Sequence, residues 1–355
     1  MFRNNKMIHR KILSFFLLLI IGCICFSQVN EENIKWINST FGNFKIKIEP
    51  HNRTVMTPNL AMQFNGIFQL LRQNIPWLMP GEVNVEVYQD KKSFLYHNRN
   101  VAEDWSGAFF DPGKNIIVMY DEPKRQRRMM KKFAHELTHL FVENTFNPVN
   151  SKAPKKEPPV WLNEGLAVNM EDLAQTPQGG VWNRDLIAIN IFSEDEHKAL
   201  KERKKNGGLN NQERASLRAS AVTDKIIFFK DFVDFMQADS YDKALQEDKV
   251  DDWYLQAYAM VRFLFRPTNS PVPAKRMQFE QFTKAIATYA PKKDENGKIV
   301  MSDGKKIMVR QSEEDALKMA YRYKSIAAFE DDFWRWLTTY QMEGRKKLKN
   351  NIKGN

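Results

Sequence analysis

The sequence predicts an α+β fold, with a small mixed sheet near the N-terminus packed on a central helix and a mostly helical part after it. Apolar and polar residues alternate with a period of two in several runs between residues 44 and 120, which is typical of half-buried strands. Beyond residue 122 the apolar residues recur every three or four positions, which is typical of amphipathic helices. The 43% of hydrophobic residues, among them 25 Phe and 8 Trp, can fill a sizeable core, so the composition excludes global disorder.

Residues 1–27 are predicted to be a secretory signal. A basic head precedes an apolar run from Ile12 to Phe26, which is shorter than the ~20 residues that a membrane span needs. The head contains Arg3, Lys6, Arg10 and Lys11. We therefore expect a periplasmic or secreted protein. Two alternatives remain open: an uncleaved N-terminal anchor, and a lipoprotein attached through Cys23, since Ile20-Ile21-Gly22-Cys23 resembles a bacterial lipobox.

Both cysteines, Cys23 and Cys25, lie in this segment, so the cleaved chain would contain no disulfide and no cysteine metal ligand. Loss of the four basic residues of the head lowers the formal net charge from +11 to +7, which predicts a mildly basic surface. Nucleic acid is a poor candidate partner for an exported chain. Membrane association is expected only if Cys23 is lipidated or the signal is not cleaved.

Residues 28–122 are predicted to form the sheet subdomain. Its strands are expected at Phe44–Glu49, Val83–Tyr88, Ser106–Phe110 and Asn115–Tyr120. The last two strands are joined by Asp111-Pro112-Gly113-Lys114, a favourable turn sequence, and this predicts a hairpin. Between the first two strands, apolar residues at helical spacing predict a helix over Pro58–Ile75.

Residues 123–175 are predicted to form two helices that carry the candidate site. At ~100° per residue, six apolar residues of the first helix fall on the side opposite His135 and His139. They are Met130, Phe133, Ala134, Leu137, Leu140 and Phe141. This helix therefore has one face for the core and one for chemistry. The basic run from Lys124 to Lys132 is interpreted as a solvated surface, with a patch for acidic substrates as the alternative.

The second helix is expected over Trp161–Leu173, because Pro158-Pro159 suits a helix start. Residues 176–251 are more polar and less regular, and an insertion or lid is predicted there. Residues 252–345 are predicted to be a helical subdomain and residues 346–355 a basic tail. The expected C-terminal elements are helices at Trp253–Phe265, Met277–Tyr289, Glu313–Tyr321 and Ala327–Tyr340, and a hairpin over Gly297–Val309.

His135-Glu136-Leu137-Thr138-His139 is the pentapeptide His-Glu-x-x-His. Two histidines one helical turn apart point the same way, so both imidazoles can bind one Zn²⁺. Glu136 can hold a metal-bound water and accept its proton. A catalytic zinc typically has three protein ligands, and Glu164 on the second helix is the predicted third. Glu171, two turns beyond Glu164, can accept the free ring N–H of a ligand histidine; the alternative is an ordinary exposed glutamate.

His-Glu-x-x-His followed by Trp161-Leu162-Asn163-Glu164-Gly165-Leu166-Ala167 resembles the gluzincin metallopeptidases of the peptidase MA-like superfamily. The segment is distantly similar to the aminopeptidase N group. Residues 140–163 form a longer link than that group usually has, and its Gly-Ala-Met-Glu-Asn motif is absent. The short exported peptidase-MA-like proteins of bacteria are more similar, because a helix with Tyr-x-Gln follows, as Tyr254-Leu255-Gln256 does here. The resemblance implies an oxyanion donor on that helix, first Tyr254 and second Tyr258.

The predicted function is therefore that of an exported zinc metallopeptidase, which hydrolyses peptide bonds through a zinc-bound water with Glu136 as general base. The expected cofactor is Zn²⁺, and the expected partner is a peptide or protein substrate. Three alternatives remain open: an aminopeptidase, a non-catalytic surface binding protein that retains the zinc site, and a zinc hydrolase of non-peptide amides.

Overall fold

A computed structural model of the chain has a mixed sheet in its N-terminal third and mostly helices thereafter, so the predicted α+β class is confirmed. The structure describes residues 34–50, 57–78, 81–102, 107–148, 155, 157–173, 191–192, 194–208, 221–222, 232–247, 249–265, 272–292, 294 and 296–337. The predicted secretory signal at residues 1–27 and the predicted basic tail at 346–355 lie outside these residues.

Within the described part, the N-terminal sheet has five strands in the order β1-β2-β3-β5-β4. They are β1 (Ile37–Phe41), β2 (Phe44–Ile48), β3 (Val83–Tyr88), β4 (Ala108–Asp111) and β5 (Ile116–Tyr120). The three central strands are parallel to one another, and β1 and β4 run antiparallel at the two edges. Every second residue of β2 is buried, which follows from the period-two pattern and turns one face of the sheet to the core.

Two N-terminal elements were not predicted. Strand β1 has the sequence Ile-Asn-Ser-Thr-Phe, which is polar and mostly exposed, so it lacks the buried alternation that marks the other strands. Helix α2 (Lys91–His97) is short, and the Asp90 carboxylate caps it by accepting a hydrogen bond from the Ser93 amide at 2.8 Å. The predicted β4–β5 hairpin is present, and Asp111 Oδ1 closes its turn by accepting hydrogen bonds from the amides of Gly113 and Lys114.

The long helix α3 (Gln126–Phe146) packs against the sheet and against α1 (Thr57–Asn74), and the turn Pro123–Arg125 leads into it. All six apolar residues predicted for its core face are buried. Phe133 stacks on Phe64 of α1 with ring centroids 3.9 Å apart and also lies near Phe44 of β2. This packing fixes one side of α3 and leaves the histidine side facing away from the sheet.

Helix α4 (Val160–Leu173) packs on α3 and on α8 (Val250–Phe265). The two helices lie close together at Gly165, where an added Cβ would lie 2.7 Å from the Ala257 carbonyl carbon and 2.8 Å from Val261 Cγ2. Buried Asn169 fastens the same contact, because its side-chain amide donates hydrogen bonds to the carbonyl oxygens of Gly165 and Tyr258. The three helices α3, α4 and α8 therefore form a rigid support for the side chains between them.

The predicted insertion or lid over residues 176–251 is only partly described. Its described elements are β6 (Ile191–Phe192), α5 (Glu194–Lys205), β7 (Ala221–Val222), α6 (Phe232–Met236) and α7 (Asp242–Gln246). The last two belong to the core: Phe232 packs on Phe329 and Phe333, and the Phe235 ring lies 5.2 Å from Trp253 of α8. Residues 232–246 therefore form part of the helical body.

The described C-terminal part is mostly helical, as predicted, and it also contains two short antiparallel strand pairs, one of which is the predicted hairpin. It contains α9 (Val272–Ala287), β8 (Tyr289–Pro291), β9 (Met301–Ser302), β10 (Lys305–Lys306), β11 (Met308–Arg310), α10 (Glu313–Tyr321) and a helix α11 described over 326–337. The hairpin turns at Asp303 and Gly304, which have φ angles of 49° and 75°. Among the described residues, no helix combines the length and the apolar character that a membrane crossing requires.

Candidate metal centre

His135 and His139 lie side by side on the face of α3 that is turned away from the sheet, with ring centroids 4.6 Å apart. Each Nδ1 atom has a partner on α4. His135 Nδ1 is 2.7 Å from Glu171 Oε1, and His139 Nδ1 is 2.8 Å from Asn163 Oδ1. With Nδ1 as the donor in both pairs, the two Nε2 atoms are left as the atoms that can bind a cation.

Glu164 of α4 faces these two Nε2 atoms. Its Oε2 is 3.3 Å from His135 Nε2, and its Oε1 is 3.7 Å from His139 Nε2. One ligand atom from each of the three residues lies within 4.8 Å of the other two. Ligand atoms ~2.0–2.2 Å from one tetrahedral zinc are roughly 3.3–3.6 Å apart, so the spacing fits such an ion.

The carboxylate of Glu164 also has the unsatisfied character expected of a metal ligand. Its Oε2 is buried and makes no hydrogen bond among the described residues. A buried carboxylate oxygen without a donor is costly, and a cation removes that cost. The two imidazoles and this carboxylate form a His₂Glu set, a composition suited to catalytic zinc.

The charges of the site are strongly coupled without a metal. Burial by itself lowers the pKa of His135, but the nearby carboxylates of Glu164 and Glu171 outweigh burial and hold that pKa well above its usual value. Burial raises the pKa of Glu164, whereas His139, His135 and the Tyr254 hydroxyl lower it, to about 2. The surroundings therefore stabilise a positive charge between His135 and Glu164, whether a proton or a metal ion supplies it.

Glu171 holds His135 from behind, and Lys131 in turn holds Glu171. The Lys131 Nζ atom is 2.6 Å from Glu171 Oε2, while the other carboxylate oxygen bonds His135. Burial raises the pKa of Glu171, but His135 and Lys131 lower it by more than that, so the net pKa is lowered and the group is an anion. Glu171 is mostly buried and fully partnered, which is not the ordinary exposed glutamate of the alternative interpretation.

Glu136 lies between the two histidines in sequence and is only 8% exposed. Burial raises the pKa of its carboxyl, while the charges of His135 and His139 act in the opposite direction. A carboxyl with a raised pKa next to a cation site is a stronger base than a solvated glutamate, and it can both accept and return a proton.

Tyr254 of α8 lies beside Glu164, and its hydroxyl interacts with the Glu164 carboxylate. Burial and the negative charge of Glu164 raise the pKa of the Tyr254 phenol, so the group remains a hydrogen-bond donor. The Tyr241 ring, just before α7, is 5.6 Å from the Tyr254 ring, and the two hydroxyls interact. Tyr258 is fully buried in the core, so Tyr254 is the tyrosine that α8 places at the candidate site.

Three residues of this site were not assigned a role from the sequence. Asn163 precedes Glu164 directly, and its position at the head of α4 was the available signal. Lys131 is one turn before His135 and was included in the solvated basic run. Tyr241 offers no sequence signal, because its place beside Tyr254 depends on how α6 and α7 pack on α8.

No protein-family model matches the chain, and no curated protein sequence matches it.

Proposed function

We propose that this protein is an exported zinc-dependent metallopeptidase of gluzincin type. The observation that carries the proposal is the convergence of His135 Nε2, His139 Nε2 and the Glu164 carboxylate, with Glu136 beside them. The peptidase class is supported by the resemblance of His-Glu-x-x-His and Trp-Leu-Asn-Glu-Gly to the gluzincins. Export is supported by residues 1–27, which resemble a secretory signal.

In this proposal His135, His139 and Glu164 hold Zn²⁺. When bound, the ion lowers the pKa of a water ligand to about 7 and polarises the scissile carbonyl. Glu171 and Asn163 keep the two imidazoles in the tautomer and orientation that direct Nε2 toward the ion. Lys131 neutralises the outer oxygen of Glu171, which keeps that carboxylate in place.

Glu136 accepts the proton of the attacking water and delivers it to the amine that leaves. Burial among His135, His139 and Glu164 keeps this carboxylate out of bulk solvent. Tyr254 donates a hydrogen bond to the carbonyl oxygen on which negative charge develops. Its raised pKa suits this role, since the phenol keeps its proton throughout the cycle.

A peptide is the favoured amide substrate because of the neighbouring sheet edge. In the described part of the sheet, β4 is an outer strand that pairs with β5 and lies against α3. An extended polypeptide can pair with a strand at such an edge, and β4 contacts the helix that carries His135 and Glu136.

The decisive experiment replaces Glu136 with Gln. We expect the variant to retain about one equivalent of zinc, because the three ligands are unchanged, and to lose at least about a thousandfold in peptide hydrolysis. Glu143→Gln, the same chemical change two turns along α3, is the matched control and keeps activity. Metal analysis and a peptide-library digest are the measurements.

Activity of the Glu136→Gln variant close to that of the wild type would overturn the proposal. Comparison of free and N-acetylated peptides in the same digest separates an endopeptidase from an aminopeptidase, which needs the free amine. A zinc-loaded wild type that cleaves no member of a broad library would favour the binding-protein alternative.

A further inference from the structure

The turn Pro123–Arg125 and the first turn of α3 carry a basic surface that the proposed mechanism does not use. We call Lys124, Arg125, Arg127 and Arg128 the basic entry face; all four are exposed. Arg128 Nε is 4.0 Å from Glu122 Oε2, at the limit of an ion pair. The Glu122 carboxylate also binds the half-buried Lys132, so its charge is already matched.

This basic entry face lies in line with the candidate metal centre. Counted back from His135 at ~100° per residue, Arg128 falls within about 20° of the histidine direction and Arg127 within about 80°. Arg128 is seven residues before His135, which corresponds to roughly 10 Å along the helix axis. Lys131, between them, is bound to Glu171. The exposed Arg128 therefore lies on the same side of α3 as the candidate site.

The charges are also opposite to those that a helix start favours. Acidic residues stabilise the first turn because the helix dipole is positive there. The first turn of α3 has no acidic residue and no side-chain cap, and basic residues flank it on both sides. A charge pattern that runs against this local rule is expected more often at functional surfaces than at purely structural ones.

We propose that the basic entry face binds acidic side chains of the substrate, so that the enzyme prefers peptides with Asp or Glu on one side of the scissile bond. A strand advances ~3.3 Å per residue, so a distance of roughly 10 Å places the preferred acid about three residues from that bond. This inference rests on the proposed function, since it assigns the substrate class of the same site.

The test uses a pair of peptides that differ by Glu or Gln at the third position from the scissile bond, on each side in turn. We expect the wild type to cleave one acidic peptide with a kcat/KM on the order of tenfold above its Gln partner, and the ratio to shrink at high salt. In the double variant R127Q/R128Q the ratio falls toward one. Arg128→Lys keeps most of it, because the charge remains, and Arg335→Gln on α11 serves as a matched exposed control.

Equal cleavage of the acidic and neutral peptides by the wild type, or a preference that survives in R127Q/R128Q, would overturn the inference. A binding measurement keeps it separate from the proposed function. Fluorescence anisotropy with the Glu136→Gln variant reports the acidic preference even if hydrolysis fails. If the variant binds acidic peptides preferentially but the wild type cleaves none, the peptidase proposal is refuted and the preference for acidic ligands is retained. If the wild type cleaves peptides without such a preference, the peptidase proposal is retained and this inference is refuted.

Discussion

At the scale of single residues, the chemistry of the site depends on which hydroxyl donates to which acceptor. Glu164 has a pKa of about 2 and is therefore an anion that can only accept. In the metal-free chain the single proton of the Tyr254 hydroxyl then points to Glu164, and the phenol oxygen accepts from Tyr241. Tyr241 thus holds the Tyr254 phenol in position. If a metal ion takes up the charge of Glu164, the same proton is free to turn to the carbonyl oxygen of a substrate.

Tyr254→Phe should lower kcat by about a hundredfold with little change in KM, because the lost hydrogen bond is one made to the developing oxyanion. Tyr241→Phe should lower kcat less, by roughly three- to tenfold, since it removes only the orientation of Tyr254. Steady-state kinetics with metal analysis checks both. Tyr258→Phe on the same helix is the control, and a larger loss there than in Tyr254→Phe would reverse our choice of tyrosine.

Much of the position of these residues follows from the sequence alone. Helical arithmetic puts His135 and His139 on one side of α3, opposite six residues that are indeed buried. The same arithmetic puts Glu171 two turns after Glu164, within reach of a histidine. Tyr241 could not be found in this way, because its neighbour Tyr254 is set by tertiary packing and not by spacing along the chain. The catalytic roles remain proposals.

At the scale of elements, the seam between α4 and α8 determines whether Glu164 and Tyr254 meet. The backbone of α8 passes so close to Gly165 that no side chain fits between the two helices. Asn169 bonds both sides of the same seam. A shift of α4 away from α8 would therefore separate the carboxylate from the phenol.

Gly165→Ala should destabilise the fold by about 1–3 kcal/mol, since the added methyl overlaps backbone atoms of Ala257 that cannot turn aside. The same change at Gly66, an exposed position within α1 where nothing lies within 4 Å of the added Cβ, should stabilise the fold by roughly 0.5–1 kcal/mol. Urea unfolding monitored by circular dichroism measures both. Equal effects at the two positions would show that helix propensity, and not the seam, decides the outcome.

Element prediction succeeded where the periodicity was strong. The helix predicted at Glu313–Tyr321 has those bounds in the structure, and the hairpin turn at Asp303-Gly304 is present. It failed at β1, whose polar residues owe their strand form to pairing with β2. The insertion or lid over residues 176–251 stays a prediction; the packing of residues 232–246 on the helical body could not be predicted, because it depends on tertiary neighbours such as Phe329 and Phe333.

At the scale of the whole molecule, a bound ion would join α3 to α4 and so couple metal binding to stability and to pH. The metal-free chain holds a proton on His135, because its pKa lies well above the ordinary 6.5. Because the folded state holds this proton more tightly than the unfolded state does, protonation of His135 stabilises the metal-free chain. This stabilisation is fully present below pH 6.5 and is lost as pH rises through the folded-state pKa. Zinc must displace the same proton, whereas Glu164 is already ionised.

The melting temperature should therefore fall when a chelator removes zinc, and the gap between the two forms should widen as pH rises from about 6 to 8. Zinc at 100 times its Kd contributes about 2.7 kcal/mol, and displacement of one proton strengthens binding about tenfold per pH unit. Differential scanning fluorimetry at fixed free zinc measures the gap. Glu171→Gln should shift the pH range over which the gap widens to lower pH, because it removes a carboxylate that raises the pKa of His135. A gap that does not change with pH would contradict the coupling.

The unfavourable start of α3 has a consequence for any attempt to make the protein more durable. Acidic residues in place of Arg127 and Arg128 would complement the helix dipole, each adding about 0.3–1 kcal/mol. If these arginines capture acidic peptides, the same exchange would repel them. Thermal stability and substrate binding would then make opposite demands on the same two positions. Selection for heat resistance alone would be expected to replace the arginines and weaken substrate binding.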